Sequence, residues 1–193
     1  MRYHARKRRI VKRWGEAARA AREARGGSTA VEFALVAPFF FGLIFSIFEI
    51  GWFYFINSQV DAATTEAARL IRTGQVQKAN LTKEDFFEEV CNRLVVFNTC
   101  DNALTVEVQR FASFAALAAD TSSVACADDD TATIDALAYQ PGLDNEVIRL
   151  RVCVLYKTIN PALGVNVADR ANGKRRLYGS YLLRNEPFSR AAN

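Results

Sequence analysis

Histidine is almost missing from this 193-residue chain: His4 is the single one, and it precedes every long apolar stretch. A Ser or Cys nucleophile further along therefore has no histidine base to activate it. There is no CxxC pair, no HExxH and no GxxxxGK[ST], so the signatures of zinc sites, metalloproteases and phosphate loops are absent. Acidic residues are common, but no spacing selects two of them as an acid–base pair. Asp128, Asp130 and Asp135 lack the turn glycine and closing glutamate of a calcium loop, and they read as a solvated acidic loop. The expectation is a chain with no catalytic residues, no metal and no cofactor.

Charge is also missing where it would normally break an apolar run. From Phe33 to Phe48 only Ser46 is polar, and after Glu49 the run resumes to Ile56. A helix of that length spans roughly 36 Å at 1.5 Å per residue, enough for a hydrocarbon layer of roughly 30 Å. The alternative of a buried core helix fits poorly, because the segment is apolar on all sides. A secretory signal peptide would have a shorter apolar region ending in small residues, whereas this one ends in Trp52, Phe53, Tyr54 and Phe55. Residues 28–56 are therefore read as a transmembrane helix, with those aromatics at one interface.

The net charge of +4 is unevenly placed. Residues 1–27 hold ten Lys/Arg against two acids, a local net of +8 that leaves −4 for the rest. No Lys or Arg occurs in residues 57–66. By the positive-inside rule, the N-terminus is cytoplasmic and the later residues lie outside. Repeated arginines with Trp14 would also suit a nucleic-acid arm. Anionic lipid and topology control account for the same charges, so no nucleic-acid partner is expected.

The junction before the span is unusual. Arg25-Gly26-Gly27-Ser28-Thr29-Ala30-Val31-Glu32-Phe33 ends the basic arm in two glycines and opens an apolar helix with one carboxylate. A carboxylate at the edge of hydrocarbon needs a partner. Cleavage after Gly27 would create an α-amine on Ser28, placed i, i+4 from Glu32 on one helix face, and neighbouring subunits would then neutralise each other. A plain hinge followed by a polar helix start is the simpler alternative. Pro38 removes one backbone bond within the span. Gly42 and Ser46 form a small-xxx-small pair that would let a partner helix approach. Glu49 is read as touching a partner helix or a wet face, or as snorkelling to the outer interface.

The stretch from Gly26 to Phe53 resembles the start of TadE-like proteins, pseudopilins of the Tad (Flp, type IVc) pilus system. Gly27, Glu32 and Phe33 match the prepilin pattern of glycine, four residues, then glutamate and an aromatic. Arg184–Phe188 (RNEPF) also looks TadE-like. The resemblance implies cleavage between Gly27 and Ser28 by a prepilin peptidase at the inner membrane. It further implies partners among other pilins, pseudopilins and the Tad membrane platform, with Glu32 and Phe33 serving assembly. A 27-residue leader is long for that pattern. The competing reading is an uncleaved, single-pass, membrane-anchored periplasmic scaffold of a secretion or pilus machine.

Residues 57–193 read as a small extracytoplasmic α+β domain. Val60, Ala63, Ala67, Leu70 and Ile71 share one helix face, so the span continues as one long helix over about residues 30–73, stopped by Gly74. Thr82 caps a second helix over residues 82–97, with Phe86, Phe87, Val90, Leu94 and Phe97 as its stripe. Alternation predicts strands at about 103–111, 146–156 and 176–183, giving an antiparallel sheet against the helices. The connection from Phe111 to Pro141 reads as a tied-down loop. Cys91, Cys100, Cys126 and Cys153 read as two disulfides in an oxidising compartment. Three pairings are possible; loop length favours Cys91–Cys100, leaving Cys126–Cys153.

Overall fold

The structure is a computed structural model that describes residues 26–94, 100, 103–129, 133, 136–159, 165–170 and 173–188. The basic arm (residues 1–25), Phe97, Asp130 and Asp135 lie outside the described residues. The fold is α+β. The chain divides into two compact units, one ending at Ser46 and one beginning at Ile47.

One helix, α1 (Gly26–Arg72), runs through both units. It begins several residues earlier than the apolar pattern indicates, because Gly26 and Gly27 already form its first turn. Pro38 lies inside it without ending it. A single turn, α2 (Gln75–Lys78), follows Gly74, whose positive φ of 72° suits a residue without Cβ. The ring of Phe188 packs where a Cβ on Gly74 would stand.

α3 (Lys83–Arg93) opens on a capping box: the Asp85 N–H donates to the Thr82 hydroxyl, and the Thr82 N–H donates back to the Asp85 carboxylate. These bonds hold the Asp85 carboxyl below its usual range, the backbone bond from Thr82 most of all. Leu94 has left helical geometry, so α3 stops short of the expected 97. Cys91 and Cys100 are joined across that exit.

The sheet has strands β1 (Leu104–Phe111), β2 (Val147–Lys157) and β3 (Lys174–Arg184) in the order β1-β2-β3, antiparallel throughout. Val152 pairs with Val106 on one side and with Gly179 on the other. One face of the sheet carries Leu104, Val106, Val108, Ile148, Leu150, Val152, Val154, Leu177 and Leu183. These residues join Ile56, Val60, Ala63, Ala67 and Ile71 of α1, Phe86 and Val90 of α3, and Leu94 just after it in one core. A Cβ on Gly179 would collide with the Thr64 hydroxyl, so glycine there lets α1 lie close to β3.

The other face of β2 is buried as well. Alternation marks its residues as outward-facing, yet the β1–β2 connection folds over them. That connection includes a short helix, α4 (Phe114–Ala119), where the sequence indicated only loop. Under it, Arg149 meets Asp120 at 2.5 Å and donates to Gln109, while Arg151 pairs with Glu107 and donates to the Ser122 carbonyl at 2.8 Å. The Cys126–Cys153 disulfide closes the same layer. Asp128 and Asp129 are not a solvated loop: both pair with Arg176, and Asp128 also with Arg170.

The RNEPF segment closes this unit. The Glu186 N–H donates to the Arg72 carbonyl at 2.9 Å, and the two side chains pair at 3.0 Å. Asn185, buried, donates to the carbonyls of Pro141 and Leu143. The strand exit is thereby bonded to the end of α1, satisfying one of its last carbonyls.

Candidate functional site

The candidate site is the apolar part of α1, beginning with the unit that ends at Ser46. In most proteins a helix this long buries at least one stripe. Here Val31, Phe33, Leu35, Phe39, Phe40 and Leu43 are all more than half exposed, Phe39 to 81%. Thr29–Arg72 is long and apolar enough to cross a membrane, and its most apolar stretch is almost wholly exposed. The core helix of a soluble protein would bury most of such a stretch. An exposed apolar surface this continuous needs lipid or another apolar surface around it.

Within this unit, Gly27 is exposed at the helix start, and Glu32 and Phe33 are exposed one turn further on. The bond between Gly27 and Ser28 lies in the first helical turn, not in a flexible lead-in. Among the described residues, nothing apart from the neighbouring turns of the helix itself lies within 4 Å of a Cβ built on Gly42. The Ser46 hydroxyl donates to the Gly42 carbonyl at 2.7 Å. That bond is made within the helix, four residues back. Gly42 and Ser46 thus offer a shallow face for close helix packing.

In the second unit, the position of Glu49 departs from the sequence reading. Its side chain is neither at a wet face nor snorkelling: it is 2% exposed and held by Tyr156 of β2 and by Ile159 just after that strand. The Tyr156 hydroxyl and the Ile159 N–H both donate to Glu49 Oε1, at 3.1 and 3.2 Å. A carboxylate in apolar surroundings is strongly disfavoured without such donors. Burial, and then the charge of Glu49, push the Tyr156 hydroxyl pKa well above its ordinary value, so Tyr156 remains a donor across ordinary pH. The partners lie 107 and 110 residues away in sequence, and only the strand lengths of the folded sheet bring them to Glu49.

Close by, the Arg175 guanidinium lies over the ring of Phe53, 4.7 Å from its centroid. Trp52, Tyr54 and Phe55 remain exposed. The aromatic cluster therefore divides: Phe53 faces the domain and the other three face outward.

The described cysteines are all in disulfides. Among the described residues, no three His, Cys, Asp or Glu side chains come together as a metal set. A cavity of about 450 Å³, lined in part by Ser123, Val124, Asp129, Arg176 and Tyr178, has its two charged groups bonded to each other at 2.6 Å.

A family model described as TadE-like protein matches residues 27–69. The match covers the exposed apolar part of α1 and most of the stretch that packs on the sheet. No curated protein and no solved structure matches the chain.

Proposed function

We propose that this chain is a TadE-like pilus-assembly protein, anchored by α1 in the inner membrane and acting through helix–helix association. The observation that carries the reading is a coincidence of position. The residues matched by the TadE-like family include the exposed apolar side chains of α1. In this reading the basic arm is cytoplasmic, the sheet domain is periplasmic, and the disulfides belong to that oxidising compartment.

A prepilin peptidase cuts between Gly27 and Ser28, and the new α-amine of one subunit meets Glu32 of a neighbour as the helices pack. Phe33 and the Gly42–Ser46 face supply the contact surface. The partners are other pilins or pseudopilins and the membrane platform of a Tad (Flp) pilus. The protein is not an enzyme. Its role is positional, and the charged groups of the cavity beneath the β1–β2 connection neutralise each other instead of facing a substrate.

The uncleaved scaffold is the second reading, favoured by the helical first turn at Gly26 and Gly27, since proteolysis needs an extended backbone. Intact mass of the protein from its native membrane separates the two. A chain beginning at Ser28 is expected. Gly27→Arg should leave the full-length mass, and Glu32→Ala should be cut normally yet lose co-purifying partner. A native chain that keeps its arginine-rich arm, with normal pili from the Glu32→Ala strain, overturns the processed-pseudopilin reading.

A further inference from the structure

The fold treats the two edges of its sheet differently. The outer edge of β1 is covered: the Val108 N–H donates to the Ala138 carbonyl at 2.9 Å, and the Gln140 N–H donates to the Val108 carbonyl at 2.7 Å. β3 forms the other edge. Its odd-numbered residues turn their backbone groups toward β2, since the Gly173 carbonyl accepts from Thr158 and the Asn185 N–H donates to Glu146. The even-numbered ones face away from β2. At the two ends these are occupied: the Lys174 carbonyl accepts from the Asp169 and Arg170 N–H groups, the Arg176 N–H donates to the Asp169 carboxylate, and the Glu186 N–H donates to Arg72. Between those stops, among the described residues, the outward backbone groups of Tyr178, Ser180 and Leu182 have no partner.

Nothing blunts this open stretch. The ladder to β2 is unbroken along the strand and β3 contains no proline, so neither a bulge nor a missing donor turns the edge away. Tyr178 and Leu182, on the face away from the core, are 47 and 49% exposed. Arg184 is exposed beside them, its Nε donating to the Asn145 carbonyl at 2.8 Å. The stretch from Tyr178 to Arg184 contains no acid.

We propose that β3 takes an extended segment of a partner protein as a fourth, antiparallel strand, apolar beside Tyr178 and Leu182 and acidic beside Arg184. Backbone bonds to residues 178, 180 and 182 supply the affinity, and the alternate side chains choose the partner. A second copy of this chain does not fit. α1 runs along β3 in the same direction: Glu49 meets Tyr156, opposite Arg175, Thr64 lies against Gly179, and Arg72 pairs with Glu186. A two-fold pair of β3 edges is antiparallel and sets the two α1 helices antiparallel as well. Chains anchored in one membrane carry them in one direction, and this exclusion alone rests on the membrane reading of α1.

The test uses the full chain in detergent micelles and an acetylated, amidated peptide, Glu-Thr-Val-Thr-Thr-Thr-Val, which sets its glutamate against Arg184. In the free chain, amide exchange followed by NMR should be fast at 178, 180 and 182 and slow at 179, 181 and 183; the peptide should slow the first set. Lysine in place of the peptide's glutamate should weaken binding about two- to fivefold, the worth of one cross-strand charge pair. Arg184→Glu should reverse that preference. Ser180→Pro removes an outward N–H and no bond to β2, so it should abolish binding without lowering the melting temperature. N-methylation of the peptide at the residues facing Ser180 and Leu182 should abolish binding to the native chain. Protection at 178, 180 and 182 in the free monomer, no slowing at millimolar peptide, or binding that survives N-methylation overturns the inference. A dimer that Ser180→Pro dissolves gives the edge to a second copy, and overturns the one-membrane reading of α1 together with the inference.

Discussion

The two parts of α1 are one helix by backbone geometry and two different objects by surroundings. Up to Ser46 its large apolar side chains are mostly exposed, Phe39 to 81%. From Ile56 onward Val60, Ala63, Ala67 and Ile71 are fully buried against the sheet. The first part is apolar all round, and the second carries Asp61, Thr65, Glu66 and Arg72 on its free face. A helix whose pattern has a polar side finds its partner within the molecule, while a helix with none needs an environment outside it. Glu49, an acid in apolar company with partners in the sheet, stands at the changeover.

This contrast can be broken by substitution. Phe86→Ala removes a ring that is 1% exposed, and should lower domain stability by about 3–5 kcal/mol. Phe40→Ala, on the exposed part of α1, should leave the domain's melting temperature in detergent unchanged while weakening helix association. Equal loss from both would show that the first part of α1 also packs on its own chain. Opening Cys126–Cys153 by Cys→Ser at both positions frees a loop with a sequence separation of 27. On a chain-entropy basis this should cost about 3–4 kcal/mol by denaturant titration. Cys91–Cys100, with a separation of 9, should cost less.

Glu49→Ala leaves the buried Tyr156 hydroxyl and the Ile159 N–H without their acceptor, a loss of about 1–3 kcal/mol by thermal melting. Glu49→Gln retains an acceptor oxygen and should recover much of it, whereas Glu32→Ala should not move the melting curve at all. The smallest effect concerns alkaline pH. Burial, followed by the charges of Asp85 and Glu84, raises the Tyr139 hydroxyl from 10.0 to about 12. The unfolded chain thus releases that proton first, so stability is complete below about pH 10 and falls as pH rises toward about 12. Tyr139→Phe should flatten this limb of a pH–stability curve, at the expense of the 3.0 Å bond to the Leu81 carbonyl.

Periodicity carried much of the fold. The 3.6-residue stripe of α1 and α3 and the alternation of the three strands mark the core face correctly, because burial on that face is a local requirement. Three features were beyond it. α4 is six residues of Phe, Ala and Leu with none of them buried, too short and too exposed to show a stripe; only Ser113, whose hydroxyl accepts from the Ala116 N–H, marks its start. Alternation places Arg149 and Arg151 on the outward face of β2, opposite Gln109 and Glu107 of β1, but is silent on what covers them, and Asp120 and Ser122 come from a connection with no period. Glu49 reads in sequence as a carboxylate at a partner helix, a wet face or the outer interface, because its donors are more than a hundred residues away. The apolar run, in contrast, is contiguous, and a contiguous signal can be read without knowledge of the fold.

The seam between the end of α1 and residues 185–188 has a consequence for biogenesis. Ribosomes emit α1 early and its stitching residues late. Until Asn185, Glu186 and Phe188 arrive, the Arg72 carbonyl and the hollow over Gly74 stay unfilled, and β3 has no fixed exit. Closure of the sheet domain therefore waits for these residues to leave the ribosome, and premature termination just upstream of Asn185 would leave that last seam open.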